Sequence, residues 1–246
     1  MPRYKLTLEY DGAGFVGWQR QKNGMSVQEA LETAATKLAG GKKVTSAAAG
    51  RTDAGVHALG MVAHIDLPQD YSPDTVRDAI NFHMQPHLAV VLEAELAGAG
   101  FHARFSALER RYLYRIFNRR AGPALEHGRV WRVSALLDHE RMAEAAERLV
   151  GKHDFTTFRA SDCQSKSPVK SLDELTVERI GHEIHIRARA RSFLHHQVRN
   201  IVGTLKLAGD GKWTADDVTR ALEARSRAAG GPTAPPHGLY FVGVSY

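Results

Sequence analysis

The chain has 246 residues, 43% hydrophobic and 24% charged, with a net charge of +6 and a pI near 9.5. That balance excludes a disordered chain and leaves room for one large domain or two modest ones. No apolar run reaches the roughly 20 residues of a membrane helix, and the single cysteine, Cys163, excludes an internal disulfide and a thiolate zinc cluster. The start, MPRYKLTLEY, reads as a strand and not as a secretory leader, so a cytoplasmic protein with no membrane association is expected. The charge is uneven. Residues 1–100 hold 9 Lys and Arg against 11 Asp and Glu, whereas residues 101–246 hold 24 against 16. A basic second half suits a polyanionic partner; a basic but inert surface is the plainer alternative.

RYKLTLEY (3–10) alternates as a strand. A long loop, residues 11–25, follows. Ser26 and Glu29 stand in capping-box spacing before an apolar stripe that stops at Gly40, which predicts a helix. KVTSAAA and MVAHIDL (61–67) are strands. Ser72 at a cap and Pro73 at the first helical position open a second helix, and LAVVLEAEL (88–96) is a strand. The order is βαββαβ.

The second half repeats it. RRYLYRIFN (110–118) is a strand, and DHERMAEAAERLVG (138–151) is a helix closed by Gly151. Residues 152–171 form a polar, basic loop of the length that usually carries function. LDELTVER and EIHIRARAR pair across IGH. FLHHQVRNIVGTLKLAG (193–209) is a helix, TADDVTRALEAR adds another, GGPTAPPHG (230–238) reads as a spacer, and LYFVGVSY is the last strand. The expectation is an α/β fold of the α+β kind. It has two ferredoxin-like βαββαβ halves, residues 1–105 and 106–246, whose sheets join and leave a basic cleft.

The stretch AAAGRTDAGVHALG (47–60) sets Asp53 between Gly50 and Gly55, two residues from Arg51 and four from His57. Thr-Asp-Ala-Gly is also good turn chemistry, with Gly55 free to take positive φ. No second carboxylate stands in a comparable setting, and H-E-x-x-H, P-loop, G-x-S-x-G and tandem-cysteine motifs are all missing. His195 and His196, as neighbours on a helix, would diverge by about 100° and share one ion poorly. If the chain is an enzyme, these residues make it a metal-free one with a single carboxylate. HDF (153–155) is read as loop in preference to ligands. In RRYLYR (110–115), Tyr112 and Tyr114 share one strand face and the arginines the other, a pattern that serves either base stacking or a tyrosine-lined core. Arg199 interrupts the apolar stripe of Val198, Ile201 and Val202, and a buried arginine needs a carboxylate, for which Asp53 is a candidate.

YDGAGFVGWQRQ, SVQEALE, AGRTDAGVHA, FHARFSA, RRYLYRI, HDFTTFR, FLHHQVRNIVG and HGLYFVGVSY, in that order and spacing, resemble the tRNA pseudouridine synthase A family from Tyr4 to Tyr246. One stretch departs. Where the family has Asn-x-x-Leu-Pro-x-Asp-Ile, this chain has NFHMQPHL (81–88), with the proline displaced and His87 in the place of an aspartate. The departure bears on local loop geometry.

The resemblance implies the pseudouridine synthase fold and isomerisation of uridine to pseudouridine at positions 38, 39 and 40 of the tRNA anticodon stem-loop, a reaction that needs no cofactor and no metal. It makes Asp53 the catalytic carboxylate, as nucleophile at C1′ or as base at C2′. Arg199 becomes its ion-pair partner and Tyr112 the ring that stacks on the uracil and assists loss of the C5 proton. Arg51 holds the extruded nucleotide, and Leu239 backs the base. His57 is left to structure or RNA contact. The family is dimeric, so a homodimer is expected. Rival readings are a non-catalytic RNA-binding protein, a ribosome-associated protein and a glycosidase, which would need two carboxylates about 5–9.5 Å apart.

Overall fold

Alternation puts Tyr4, Leu6, Leu8 and Tyr10 of strand β1 (Arg3–Tyr10) on one buried face. The computed structural model, which describes residues 1–161 and 163–246, pairs β1 antiparallel with β3 (His57–Asp66) and with β4 (Ala89–Ala97). β2 (Ser46–Ala48) lies antiparallel along the far end of β3, from Ser46 opposite Ile65 to Ala48 opposite Ala63. The order β4-β1-β3-β2 is ferredoxin-like. Helix α1 (Val27–Leu38) starts where expected, since the Ser26 hydroxyl accepts from the Glu29 amide. It buries Val27, Ala30, Leu31, Ala34 and Ala35 at helical spacing. Helix α2 (Pro73–Met84) opens on the Ser72 cap, buries Val76, Ile80 and Met84, and packs on α1 and β4.

The chain divides into two compact units, residues 1–108 with Tyr240–Tyr246, and residues 109–239. The last strand is β10 (Leu239–Ser245). Its residues from Tyr240 onward fall in the first unit, because β10 runs parallel to β3 with Tyr240 opposite His57 and Phe241 opposite Ala58.

In the second unit the order is β5 (Glu109–Phe117), β9 (Glu183–Ala190), β8 (Val169–Ile180), β7 (Gly151–Asp154), each neighbour antiparallel. A two-residue β6 (Trp131–Arg132) adds in parallel to β5. Helix α3 (His139–Glu147), capped by Asp138, packs on β8, on α4 (Gln197–Gly209) and on α5 (Ala215–Glu223). Tyr114, Ile116, Phe155, Phe158, Ile184, Ile186, Val202 and Leu205 fill this core. Among the described residues no helix is long and apolar enough to cross a membrane.

Three local expectations give way. The helix expected from Phe193 starts at Gln197, because His196 takes a left-handed φ of 61° and the Gln197 side chain accepts from the Leu194 amide at 2.8 Å, making a turn. The rings of His195 and His196 therefore lie 4.0 Å apart rather than a helical step apart. Within the expected loop 152–171, residues through Asp154 belong to β7, and Asp154 caps the next turn by accepting from the Thr156 amide and hydroxyl. The expected spacer 230–238 is pinned to α4. The Gly231 amide donates to Thr204 Oγ1 at 2.9 Å, and the Thr233 hydroxyl donates to Asn200 Oδ1 at 2.7 Å. Small residues and proline carbonyls suit a close-packed strap as well as a flexible link, so composition alone misleads there.

Candidate active site

Asp53 sits half-buried on the loop that joins β2 to β3. The turn chemistry is realised: the Val56 amide donates to the Asp53 carbonyl at 3.2 Å, and Gly55 takes φ +77°. What fixes the loop lies elsewhere in the first unit. The Tyr10 and Thr52 hydroxyls are hydrogen-bonded at 2.8 Å, both residues being buried. The Trp18 amide donates to the Thr52 carbonyl at 3.0 Å. Gly17 and Trp18 in turn accept from Val27 and Gln28, the first amides of α1, which have no partner within the helix. A chain of bonds thus runs from the α1 N-terminus through residues 17–18 to the residue before Asp53.

Gly17 makes this approach possible. Its φ is +107°, and a Cβ there would lie 2.7 Å from the Thr52 carbonyl oxygen. The small residues flanking Asp53 thus meet the chain's own segment 11–18, part of the long loop expected over residues 11–25.

His57, at the end of the loop, is 3% exposed and works as structure. Its Nδ1 accepts from the Gly12 amide at 3.0 Å, and its ring stacks on Tyr240 with centroids 4.9 Å apart. Nδ1 also lies 3.2 Å from Asp11 Oδ1. An amide can only donate, so we assign Nδ1 as its acceptor, with the proton on Nε2. Arg51 is exposed at the loop's edge.

The second unit holds the other expected residues. Tyr112 is half-buried on β5 opposite Ala188, and the Phe193 ring meets it edge to face at 5.0 Å and 82°. Tyr114, two residues on, is core: it is fully buried, and burial pushes its phenol well above the usual range while the Arg199 cation pulls the other way. Its hydroxyl donates to the Pro235 carbonyl at 2.7 Å. The two tyrosines therefore divide the alternatives that the strand pattern left open, one packed and one partly accessible.

Arg199 on α4 is half-buried, less enclosed than the apolar stripe suggested. It exchanges bonds with the strap: its Nε donates to the Ala234 carbonyl at 2.8 Å, and the Ala234 amide donates to the Arg199 carbonyl at 3.1 Å. Asn200 anchors the same strap and also donates to the Phe158 carbonyl at 2.9 Å. The strap ends at Gly238, where a Cβ would lie 2.7 Å from the Tyr114 ring, and the next residue, Leu239, is buried. Tyr112, Arg199 and Leu239 thus belong to the second unit, and Arg51 and Asp53 to the first. Sequence reasoning missed Tyr10, Thr52, Phe193 and Asn200; the only signal for them was their place within the quoted motifs.

A family model described as tRNA pseudouridine synthase matches residues 7–106 and 145–246. The tRNA pseudouridine synthase A of Paramagnetospirillum magneticum is 63% identical over 246 residues, covering 100% of this chain and 96% of that protein. The tRNA pseudouridine synthase A of Rhodospirillum centenum is also 63% identical, with both chains covered in full. That of Rhodospirillum rubrum is 58% identical, with 100% and 88% covered.

Proposed function

The chain belongs to the tRNA pseudouridine synthase family, and from that premise we propose that it isomerises uridine to pseudouridine at positions 38, 39 and 40 of the tRNA anticodon stem-loop, with Asp53 as the catalytic carboxylate. The reaction breaks the C1′–N1 bond, turns the uracil while it is held, joins C5 to C1′ and, in net, exchanges the proton lost from C5 for one gained at N1. Nothing is oxidised or hydrolysed, so the chemistry asks for no cofactor. Asp53 either attacks C1′ or removes the C2′ proton, and both routes need it ionised. Arg199 pairs with it and favours the charged form. Tyr112 stacks on the uracil and assists the late proton loss.

A base inside a stem is out of reach, and extruding it costs a few kcal/mol, offset by stacking and phosphate contacts. Arg51 holds the extruded nucleotide from the loop edge, and Leu239 backs the base. The excess of cations after residue 100 attracts the phosphates. The protein works as a cytoplasmic homodimer.

The observation that carries this reading is the anchoring of Asp53. A half-exposed carboxylate stands on a loop held by Tyr10, Trp18 and, through His57, Gly12. Such support suits a group that must be held near its productive geometry, in a chain whose full length matches the synthases. Incubating the protein with unmodified tRNA and mapping pseudouridine nucleotide by nucleotide tests it. Modification confined to positions 38–40 is expected; none, or modification elsewhere only, refutes the assignment.

A further inference from the structure

The turn Phe101–Ser106, from the FHARFSA motif, has no part in the chemistry above, yet side chains from elsewhere in the first unit hold its backbone. The Phe101 carbonyl accepts from Arg3 at 2.7 Å, and the Ala103 carbonyl accepts from the Tyr246 hydroxyl at 2.9 Å. The Ala103 amide donates to His64 Nδ1 at 3.2 Å. Inside the turn, His102 and Ser106 close on each other through amide–Oγ and amide–carbonyl bonds. The amides of Arg104 and Phe105 both donate to His102 Nδ1, at 3.1 and 3.3 Å.

This rigid support holds an aromatic ring in water. Phe105 is 75% exposed. Its ring leans on His102, with centroids 4.3 Å apart and planes at 33°, so one face is shouldered by the imidazole. The exposed Arg104 guanidinium lies 5.8 Å from its centroid. A single exposed apolar residue is ordinary on a protein surface. One whose backbone is fixed on every side, backed by a second ring and flanked by a cation, is not. A flat ring with low conformational freedom beside an arginine is the chemistry that recognises an unstacked nucleobase and its phosphate.

We infer that Phe105 is a stacking platform for one unpaired nucleobase of the tRNA, with Arg104 serving the adjoining phosphate. This inference rests on the reading that tRNA is the substrate. The base it takes is distinct from the uracil undergoing isomerisation, which falls to Tyr112. Stacking tolerates any base, so Phe105 adds affinity and placement of the RNA without selecting sequence.

The test compares Phe105→Ala, Phe105→Leu and Phe105→Trp with the native protein in tRNA binding at fixed salt, with a melting curve for each. Stacking is worth about 1–3 kcal/mol per base, so Phe105→Ala is expected to weaken binding by about 5- to 150-fold. Phe105→Trp should stay within about threefold of native, and Phe105→Leu should fall with Ala, because it keeps an apolar side chain but no π-face. Should the alanine variant fail to fold, the Leu–Trp contrast decides alone. Native affinity in Phe105→Leu would overturn the inference. Pseudouridine mapping on the native protein is run in parallel: its failure removes the substrate assignment, whereas equal affinities beside normal modification remove only the platform.

Discussion

The Tyr10 and Thr52 hydroxyls, 2.8 Å apart in a buried hydrogen bond, tie the first strand of the chain to the residue before Asp53. The bond has no exposed alternative, since Tyr10 is 3% and Thr52 7% accessible. It converts the stiffness of a core strand into a fixed starting point for the loop that carries the carboxylate.

Tyr10→Phe takes the phenol from the buried Thr52 hydroxyl, which costs about 1–3 kcal/mol. Tyr10→Phe should therefore lower stability in urea unfolding and reduce kcat per folded molecule, with the tRNA Kd little changed. Tyr10→Phe with Thr52→Val should cost less than the two single changes together, because both partners are then apolar. Additive losses would mean the bond does not hold the loop.

Arg199 has two roles to separate. Arg199→Met loses the bond to Ala234 and the cation near Tyr114, so the strap loosens and the melting temperature falls. It also removes the proposed partner of Asp53, so activity should fall more than stability explains. Arg199→Lys keeps the charge but not the planar fork and should recover only part of the activity. An Arg199→Met protein as stable and as active as the native one would take Arg199 out of the site.

His64 gives a pH dependence with a defined sign. Its buried Nδ1 accepts an amide hydrogen bond, which requires that nitrogen unprotonated. Burial first, then Arg3 and His102, hold its pKa below the ordinary 6.5 against the opposing pull of Asp66. The unfolded chain then takes up the proton at higher pH than the folded one. The stabilising contribution is complete above about pH 6.5 and declines as the pH falls below it. Urea unfolding at about pH 7.5 and about pH 5.5 should show this decline. The drop should shrink in His64→Gln, whose amide oxygen can still accept; an identical drop would assign the effect to other groups.

tRNA binding should weaken steeply as salt rises. Each phosphate contact adds about 0.9 to the slope of log affinity against log salt on a duplex, and about 0.7 on a single strand. An affinity flat between low and moderate salt would contradict a role in tRNA binding for the cations after residue 100.

Much of this architecture is legible in the sequence. Ser26 with Glu29 and Ser72 with Pro73 mark helix starts that the structure reproduces, because capping is local chemistry. Alternation placed β1, β5, β8 and β9 equally well. The misses share a cause. His196 adopts a left-handed φ that no helical pattern announces. The Gly- and Pro-rich strap reads as a spacer until Arg199, Asn200 and Thr204 are seen to bind it. At the candidate site, the turn chemistry of Thr-Asp-Ala-Gly was legible, whereas Tyr10 and Trp18, which hold the loop, lie 43 and 35 residues from Asp53 in the chain. Contacts of that range leave no periodic trace.

In the proposed mechanism Asp53 does the chemistry and contributes little to holding tRNA. Asp53→Asn keeps the size of the side chain and the backbone turn to Val56, so the fold should survive. The deciding measurement is pseudouridine formation by Asp53→Asn under single-turnover conditions, beside its tRNA Kd and its melting curve. The account predicts a rate reduced by more than about 10⁴-fold, beyond what losing an acid–base helper costs, with affinity unchanged or slightly tighter as a negative charge leaves the RNA-facing side. Substantial turnover by a well-folded Asp53→Asn protein would contradict it.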